Sequence, residues 1–206
     1  QYPDVIDRDD QIILDDASLT YAVGELQLFS LVESDRDAIG EAFEVFIGPS
    51  LKGGQGQFFT PRNVVNLLVK MIDLKSSDLV VDPACGSGGF LIEALRSIWR
   101  IVDAEGDSLG WPQAEIDAEK QRKSIKSVKG IDKDYFLAKV AKAYMAIIGD
   151  GRGGVYCENG LEEPETWAQS TQTDIHISGF DAVLANPPFG KKLKISDQEL
   201  LAKYKL

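Results

Sequence analysis

Four consecutive residues, Asn186, Pro187, Pro188 and Phe189, bring together groups suited to one difficult substrate. They follow an apolar run over 181–185 that reads as a buried strand. Two prolines end such a strand, because each lacks an N–H and has a fixed φ. The strand therefore delivers a carboxamide, carbonyls without neighbouring donors and an aromatic ring to the carboxyl edge of a sheet. Open α/β sheets bind ligands at that edge. The fitting substrate is an amino group conjugated to a ring or a carbonyl, whose delocalised lone pair makes it a poor nucleophile. The Asn186 side-chain oxygen and the Pro187 carbonyl would each accept one N–H, drawing the nitrogen towards sp3, while Phe189 stacks on the ring. That help is positional and electrostatic, and needs no strong base. The same residues also suit a loop that merely ends a strand, since Asn-Pro starts turns.

The upstream chain separates these readings. An apolar run over 79–82 reads as a buried parallel strand. It ends in Asp82 and Pro83, passes through Ala84, Cys85, Gly86, Ser87, Gly88 and Gly89, and enters an amphipathic helix over 90–101. Strand, glycine turn and helix form a nucleotide-type cradle, in which glycines let the backbone approach a ligand. The pattern is not a full G-x-G-x-x-G, and it is not a Walker loop, because no Gly-Lys-Ser/Thr follows. A plain tight turn is its alternative. Asp82 puts a carboxylate where a cationic group could be balanced.

Before that strand lie Gln57, Phe58, Phe59, Thr60, Pro61, Arg62 and Asn63. Thr60 reads as an N-cap and Pro61 as the first residue of a helix over 61–72. Val64, Val65, Leu67, Leu68 and Met71 would form its apolar side. The arrangement fits a capped helix, and also a ligand carrying an adenine ring and a carboxylate, with aromatics walling the ring and free N–H groups meeting the anion.

Two further strand ends carry candidates. A strand from 127 ends in Asp132, where ribose hydroxyls are caught in dinucleotide folds. The usual interval of about 20 residues past the glycines is exceeded about twofold here, which a polar crossover over 102–124, holding a loop and then a helix from 113, accommodates. Asp132 is preferred to Asp134 because it sits directly on the strand end. A helix over 135–148, with Phe136, Leu137, Val140, Ala141, Tyr144, Met145 and Ile148 inward, leads to a strand over 155–158 and a turn at Asn159, Gly160 and Leu161. Asn159 could meet an adenine amino group or serve as a turn former. Residues 162–178 read as a polar linker. Four strand units alternating with helices, each ending in a candidate site, describe an α/β sheet with right-handed crossovers.

The start of the chain is poorer in chemistry. An acidic arm over 1–20 precedes helical spacing over 19–34 and 36–46, and a turn-rich loop follows over 48–56. The division expected is 1–48 for the arm and helical segment and 49–206 for a catalytic domain. The 206 residues, 44% hydrophobic and 27% charged, are ordinary for a globular protein. No apolar run is long enough to span a membrane. Two isolated cysteines suit a reducing cytoplasm rather than a disulfide framework, and the single His176 builds no zinc site, so no metal is expected. A net charge of −11 leaves basic stretches only at 121–129 and 191–194. A domain gripping nucleic acid by itself would show a larger basic footprint, so phosphate contacts are expected to come from elsewhere.

Three stretches together, GQFFTPR at 56–62, DPACGSGGFL at 82–91 and ANPPFG at 185–190, resemble the adenine-specific N6 DNA methyltransferases. The likeness is greatest to modification subunits of type I restriction–modification systems, and it extends over residues 35–190. It implies a Rossmann-like S-adenosylmethionine-dependent methyltransferase sheet with an N-terminal helical segment. It also implies S-adenosyl-L-methionine as methyl donor, DNA with a flipped adenine as substrate, and a specificity subunit and a restriction subunit as partners in the cytoplasm. Carried over residue by residue, Gln57, Phe58, Phe59, Thr60, Pro61, Arg62 and Asn63 would contact the donor together with Ala84, Gly86, Ser87, Gly88 and Gly89. Asp82 would lie near its amino-acid end, Asp132 would hold the ribose, and Asn159 and Leu161 would lie beside its adenine. Asn186, Pro187, Pro188 and Phe189 would hold the target base. Asn159 stands where the family often has Asp. The family sheet continues past its Asn-Pro-Pro-Phe strand, so a truncated domain is expected.

The competing readings are methylation of a protein glutamine or of RNA by the same amide chemistry, and a non-catalytic nucleotide-binding module. A dehydrogenase fits less well, since neither Phe-Thr-Pro nor Asn-Pro-Pro-Phe has a role in hydride transfer.

Overall fold

The structure is a computed structural model that describes residues 11–29, 45, 60–148, 154–187 and 201–202. Four strands, β1 (Val80–Asp82), β2 (Val128–Asp132), β3 (Val155–Cys157) and β4 (Ala182–Val183), form one parallel sheet in the order β3-β2-β1-β4. Val80 stands opposite both Val128 and Ala182, and Gly130 opposite Val155. The chain thus runs outward from β1 to β3 and returns to the far side of β1 as β4. The reversal makes a topological switch point at the carboxyl ends of β1 and β4, where such sheets bind ligands.

β1 is buried throughout, as its apolar run required. β4 is shorter than the expected 181–185. Only Ala182–Val183 join the ladder, because the Asp181 carboxylate takes the Leu79 N–H at 2.9 Å and closes the amino end of the pairing. At the other end Leu184 N–H still donates to the Val81 carbonyl at 3.0 Å.

Helices α2 (Arg62–Ile72), α3 (Gly89–Leu109), α4 (Gln113–Lys126) and α5 (Tyr135–Ile148) share one core with the sheet. α3 overruns the expected end at 101 by two turns. Its Gly106 reads as a breaker in sequence, yet a Cβ there would sit 2.6 Å from Ile116 Cγ1. The glycine lets α4 pack against the helix, and Gly110, at φ +71°, ends it. In α2 only Val65 and Val69 are buried; Val64, Leu67, Leu68 and Met71 are exposed. The i,i+4 pair faces the core, and the wider stripe read from the sequence does not. In α5, Phe136 points outward, against expectation, while Leu137, Val140, Ala141, Tyr144, Met145 and Ile148 are buried.

The other face of the sheet carries a smaller cluster of Ile131, Trp167 and Ile175, with Tyr156 and Phe180 against it. The segment expected to be a polar linker supplies it, folding into two 3-10 turns (Pro164–Thr166 and Ile177–Gly179) around α6 (Gln169–Asp174). Glu158 Oε1 anchors this segment by accepting from Ala168 N and Thr171 Oγ1, each at 2.9 Å.

At the amino end, α1 (Asp16–Leu26) begins earlier and ends earlier than expected. Asp15 sets its start by accepting from Ser18 N at 3.0 Å. None of its residues is buried. The expected helix over 36–46 lies outside the described residues except for Val45, as does the loop over 48–56. Among the described residues no helix is long and apolar enough to cross a membrane.

Candidate functional site

The glycine turn after β1 is built by its own backbone. Gly86 and Gly88 have φ of +54° and +88°, a region that side chains disfavour. Cys85 N–H donates to the Ile131 carbonyl at 2.9 Å, and Gly88 N–H to the Cys85 carbonyl at 2.8 Å. α3 then starts at Gly89 with no side chain capping it. A Cβ at Gly86 or Gly89 would meet nothing within 4 Å. Their side of the loop therefore opens on free space, the condition for a ligand to approach the backbone.

Two carboxylates flank this space. Asp82, at the end of β1, is 1% exposed. Its Oδ1 accepts from Ala84 N at 3.0 Å. Burial pushes its pKa up to about 7, against the Ala84 hydrogen bond and with a smaller push from the Asp132 charge. Asp132, at the end of β2, is half-buried, and burial raises its pKa too, although N–H bonds from Asp134 and Gly86 oppose the shift. Both of its oxygens are engaged: Oδ2 accepts from Gly86 N and Oδ1 from Asp134 N, each at 2.8 Å. Asp134 caps α5, accepting from Phe136 N at 2.9 Å and Leu137 N at 3.1 Å through Oδ1. That role was not read from the sequence, although an acid immediately before a helix is its ordinary signal.

The turn after β3 packs against the same edge. A Cβ on Gly160 would sit 2.4 Å from the Pro83 carbonyl oxygen. Asn159 closes on its own turn, donating from Nδ2 to Glu162 Oε1 at 2.9 Å and accepting Leu161 N at 3.2 Å. Leu161 is exposed.

Two residues far apart in the chain meet here as well. Asn186 Nδ2 donates to Thr60 Oγ1 at 2.9 Å, across 126 residues of sequence. Thr60 is therefore not the N-cap of α2. Pro61 holds that position with no side-chain hydrogen bond, and its carbonyl takes the N–H groups of Val64 and Val65 at 2.9 and 3.0 Å. Asn63 accepts from Val64 N, and Arg62 Nη2 donates to Tyr144 OH at 2.9 Å, towards α5. With its nitrogen tied to Thr60, the Asn186 carboxamide keeps Oδ1 as its acceptor. Asn186 is half-buried and Pro187 exposed. Gln57, Phe58, Phe59, Pro188 and Phe189 lie outside the described residues. Among the described residues no group of His, Cys, Asp and Glu is gathered that could hold a metal ion. Cys85 is buried, and burial drives its thiol well above the ordinary range, so it is an inert packing residue.

Residues before α2, after β1, after β2 and after β4 thus converge on one sheet edge. A sequence profile described as N-6 DNA Methylase matches residues 34–205. The chain belongs to the N-6 DNA methylase family. Among its relatives, it is 29% identical over 181 residues to the methylase subunit of the type I restriction enzyme MjaIX of Methanocaldococcus jannaschii, covering 85% of this chain and 27% of that protein. The chain spans about a quarter of the length of the curated relatives it matches. The fold is shared with a modification subunit of a type I restriction enzyme from Vibrio vulnificus YJ016, with a TM-score of 0.60 and 23% identity over 83% of this chain and 32% of that one. It is shared too with a class I S-adenosylmethionine-dependent methyltransferase from Listeria monocytogenes, at a TM-score of 0.62 and 16% identity over 94% of this chain and 51% of that one. A Rossmann-like methyltransferase sheet is therefore the fold of this N-6 DNA methylase chain, as expected.

Proposed function

We propose that this chain supplies the methyl-donor pocket and the amide clamp of a DNA methyltransferase that modifies the N6 amino group of adenine. It would act within a type I restriction–modification complex alongside a specificity subunit and a restriction subunit. Residues 49–206 form the catalytic part in this reading, and 1–48 an arm and helical segment. The observation that carries it is the Asn186–Thr60 hydrogen bond. It orients the carboxamide with its oxygen as the acceptor, which is what an amino-group substrate requires.

S-adenosylmethionine supplies an electrophilic methyl group on a positively charged sulfur. The residues present fit it. Gly86 and Gly89 leave open space beside the backbone, and a buried carboxylate raised to about 7, as on Asp82, regains its charge next to a cation. Asp132 would accept from ribose hydroxyls with the lone pairs that Gly86 and Asp134 leave. Gln57, Phe58, Phe59, Thr60, Pro61, Arg62, Asn63, Ala84, Ser87 and Gly88 complete the donor side, with Asn159 and Leu161 at its adenine. Asn186 Oδ1 and the Pro187 carbonyl would accept the two N–H groups of a flipped adenine, with Pro188 and Phe189 beside the ring. Each would hold its N–H out of the ring plane, freeing the nitrogen lone pair towards the electrophilic methyl group that the donor would supply. The proton released on methylation leaves to water.

Calorimetric titration with S-adenosylmethionine, with NAD and ATP as controls, tests the donor half. Selective binding of the methyl donor is expected, and selective binding of NAD or ATP would overturn the reading. Incubating the modification enzyme that contains this chain with DNA, RNA and protein tests the substrate half. N6-methyladenine in DNA is expected, and a methylated glutamine or RNA base in its place would reassign the target.

A further inference from the structure

Tyr144 is a tyrosine where packing alone asks only for a ring. It lies on α5, 1% exposed, in the core that the helices share with the sheet. A phenylalanine would fill the same place, so the hydroxyl is the part that needs a reason. Buried tyrosine hydroxyls find hydrogen-bond partners. This one accepts from Arg62 Nη2 at 2.9 Å, across 82 residues of sequence.

Arg62 opens α2. No side-chain hydrogen bond caps that helix, and only Val65 and Val69 of it are buried. The contact with Tyr144 therefore ties the opening turn of α2 to α5. Just before that turn stands Thr60, whose hydroxyl accepts the Asn186 amide nitrogen at 2.9 Å.

The same face of α5 also reaches the glycine turn. Ala141 lies one turn before Tyr144, and a Cβ on Gly88 would meet its Cβ at 3.3 Å. One helix thus supports the loop that precedes α3 and, through Arg62, the segment that orients Asn186. Group transfer needs its two reacting groups at a fixed separation, and a misplacement of about 1 Å can cost about 10²-fold in rate.

We infer that Tyr144 is a positioning residue of the methyl transfer, acting through Arg62 and Thr60 on the Asn186 amide. The inference rests on the proposed amide clamp.

Tyr144→Phe keeps the ring and removes the acceptor. Val69→Ala loosens α2 from the core further along and leaves that contact in place. Both are made in the complete protein. The first arm is hydrogen exchange, which needs no methylation. Tyr144→Phe should speed exchange severalfold at Val64 and Val65, whose N–H groups close the first turn on the Pro61 carbonyl. Unchanged exchange there, or an equal rise throughout the chain, would overturn the inference.

The second arm is kinetic, at saturating methyl donor. Tyr144→Phe should lower kcat severalfold. Combined with Thr60→Val it should lose no more than Thr60→Val alone, because both act on one contact. Val69→Ala should instead add its own loss to that of Thr60→Val. Additive losses for Tyr144→Phe would make it structural only and overturn the inference, as would a raised KM for the donor with kcat unchanged. The two possible failures are distinct. A loss of kcat in Thr60→Val but not in Tyr144→Phe overturns this inference alone. No loss in either variant overturns the clamp itself, and the role of Tyr144 with it.

Discussion

Asp132 reaches from the end of β2 to the glycine turn after β1, its Oδ2 accepting the Gly86 N–H at 2.8 Å. The residue expected to hold a ribose therefore also holds the loop that the rest of the donor would lie against. Asp132→Asn replaces one acceptor by an NH2 that must face an N–H donor. We expect a loss of about 1–3 kcal/mol in stability, seen as a lower denaturant midpoint, together with weaker binding of S-adenosylmethionine by calorimetry. Full affinity in the folded variant would remove Asp132 from the donor site.

Thr60 orients Asn186, so the hydroxyl and not the methyl of Thr60 should matter. Thr60→Val keeps the shape and removes the acceptor; Thr60→Ser keeps it. On the proposed amide-clamp role, Thr60→Val in the complete protein should lower kcat for methylation roughly tenfold, about the effect of one hydrogen bond, with Thr60→Ser near wild type. Equal rates in both variants would mean that the contact is only structural.

Asp82 gives the chain a pH signature. Its pKa in the fold is about 7, raised by burial from an ordinary 3.8. A raised pKa means that the fold favours the protonated acid. Its contribution is complete below about pH 4 and declines as pH rises towards 7, by at most about 4 kcal/mol at 1.36 kcal/mol per unit. Asp132 is shifted in the same direction. Thermal melts should show Asp82→Asn gaining stability relative to wild type as pH rises across that window. A constant difference between the two proteins would show that Asp82 does not titrate there.

Gly160 lets the turn after β3 lie against the end of β1. A Cβ there would come within 2.4 Å of the Pro83 carbonyl oxygen, a backbone atom with little freedom to move. Gly160→Ala should cost about 1–3 kcal/mol as an overpacked contact and weaken donor binding by displacing the turn from the glycine loop. An unchanged melting temperature would rule out the close approach.

Local chemistry was enough to locate the strand ends and their candidates. Buried parallel strands leave continuous apolar runs, glycines mark positive φ, and prolines stop a ladder, so Asp82, the glycine turn, Asp132 and Asn186 were legible at their places. The bounds of helix α5 and all of its inward stripe except Phe136 were legible, because the 3.6-residue period is uninterrupted. What the sequence could not hold was any relation whose two members lie far apart. Gly106 resembles a helix breaker until Ile116 is seen against it. Trp167 and Ile175 have no period, and become a core only when the second sheet face needs cover. Thr60 has every local mark of an N-cap, yet its hydroxyl serves Asn186, 126 residues away. Periodicity and turn chemistry act over a few residues and are written into the sequence itself. The pairing of Thr60 with Asn186 and of Asp132 with Gly86 exists only once the sheet order brings those elements side by side.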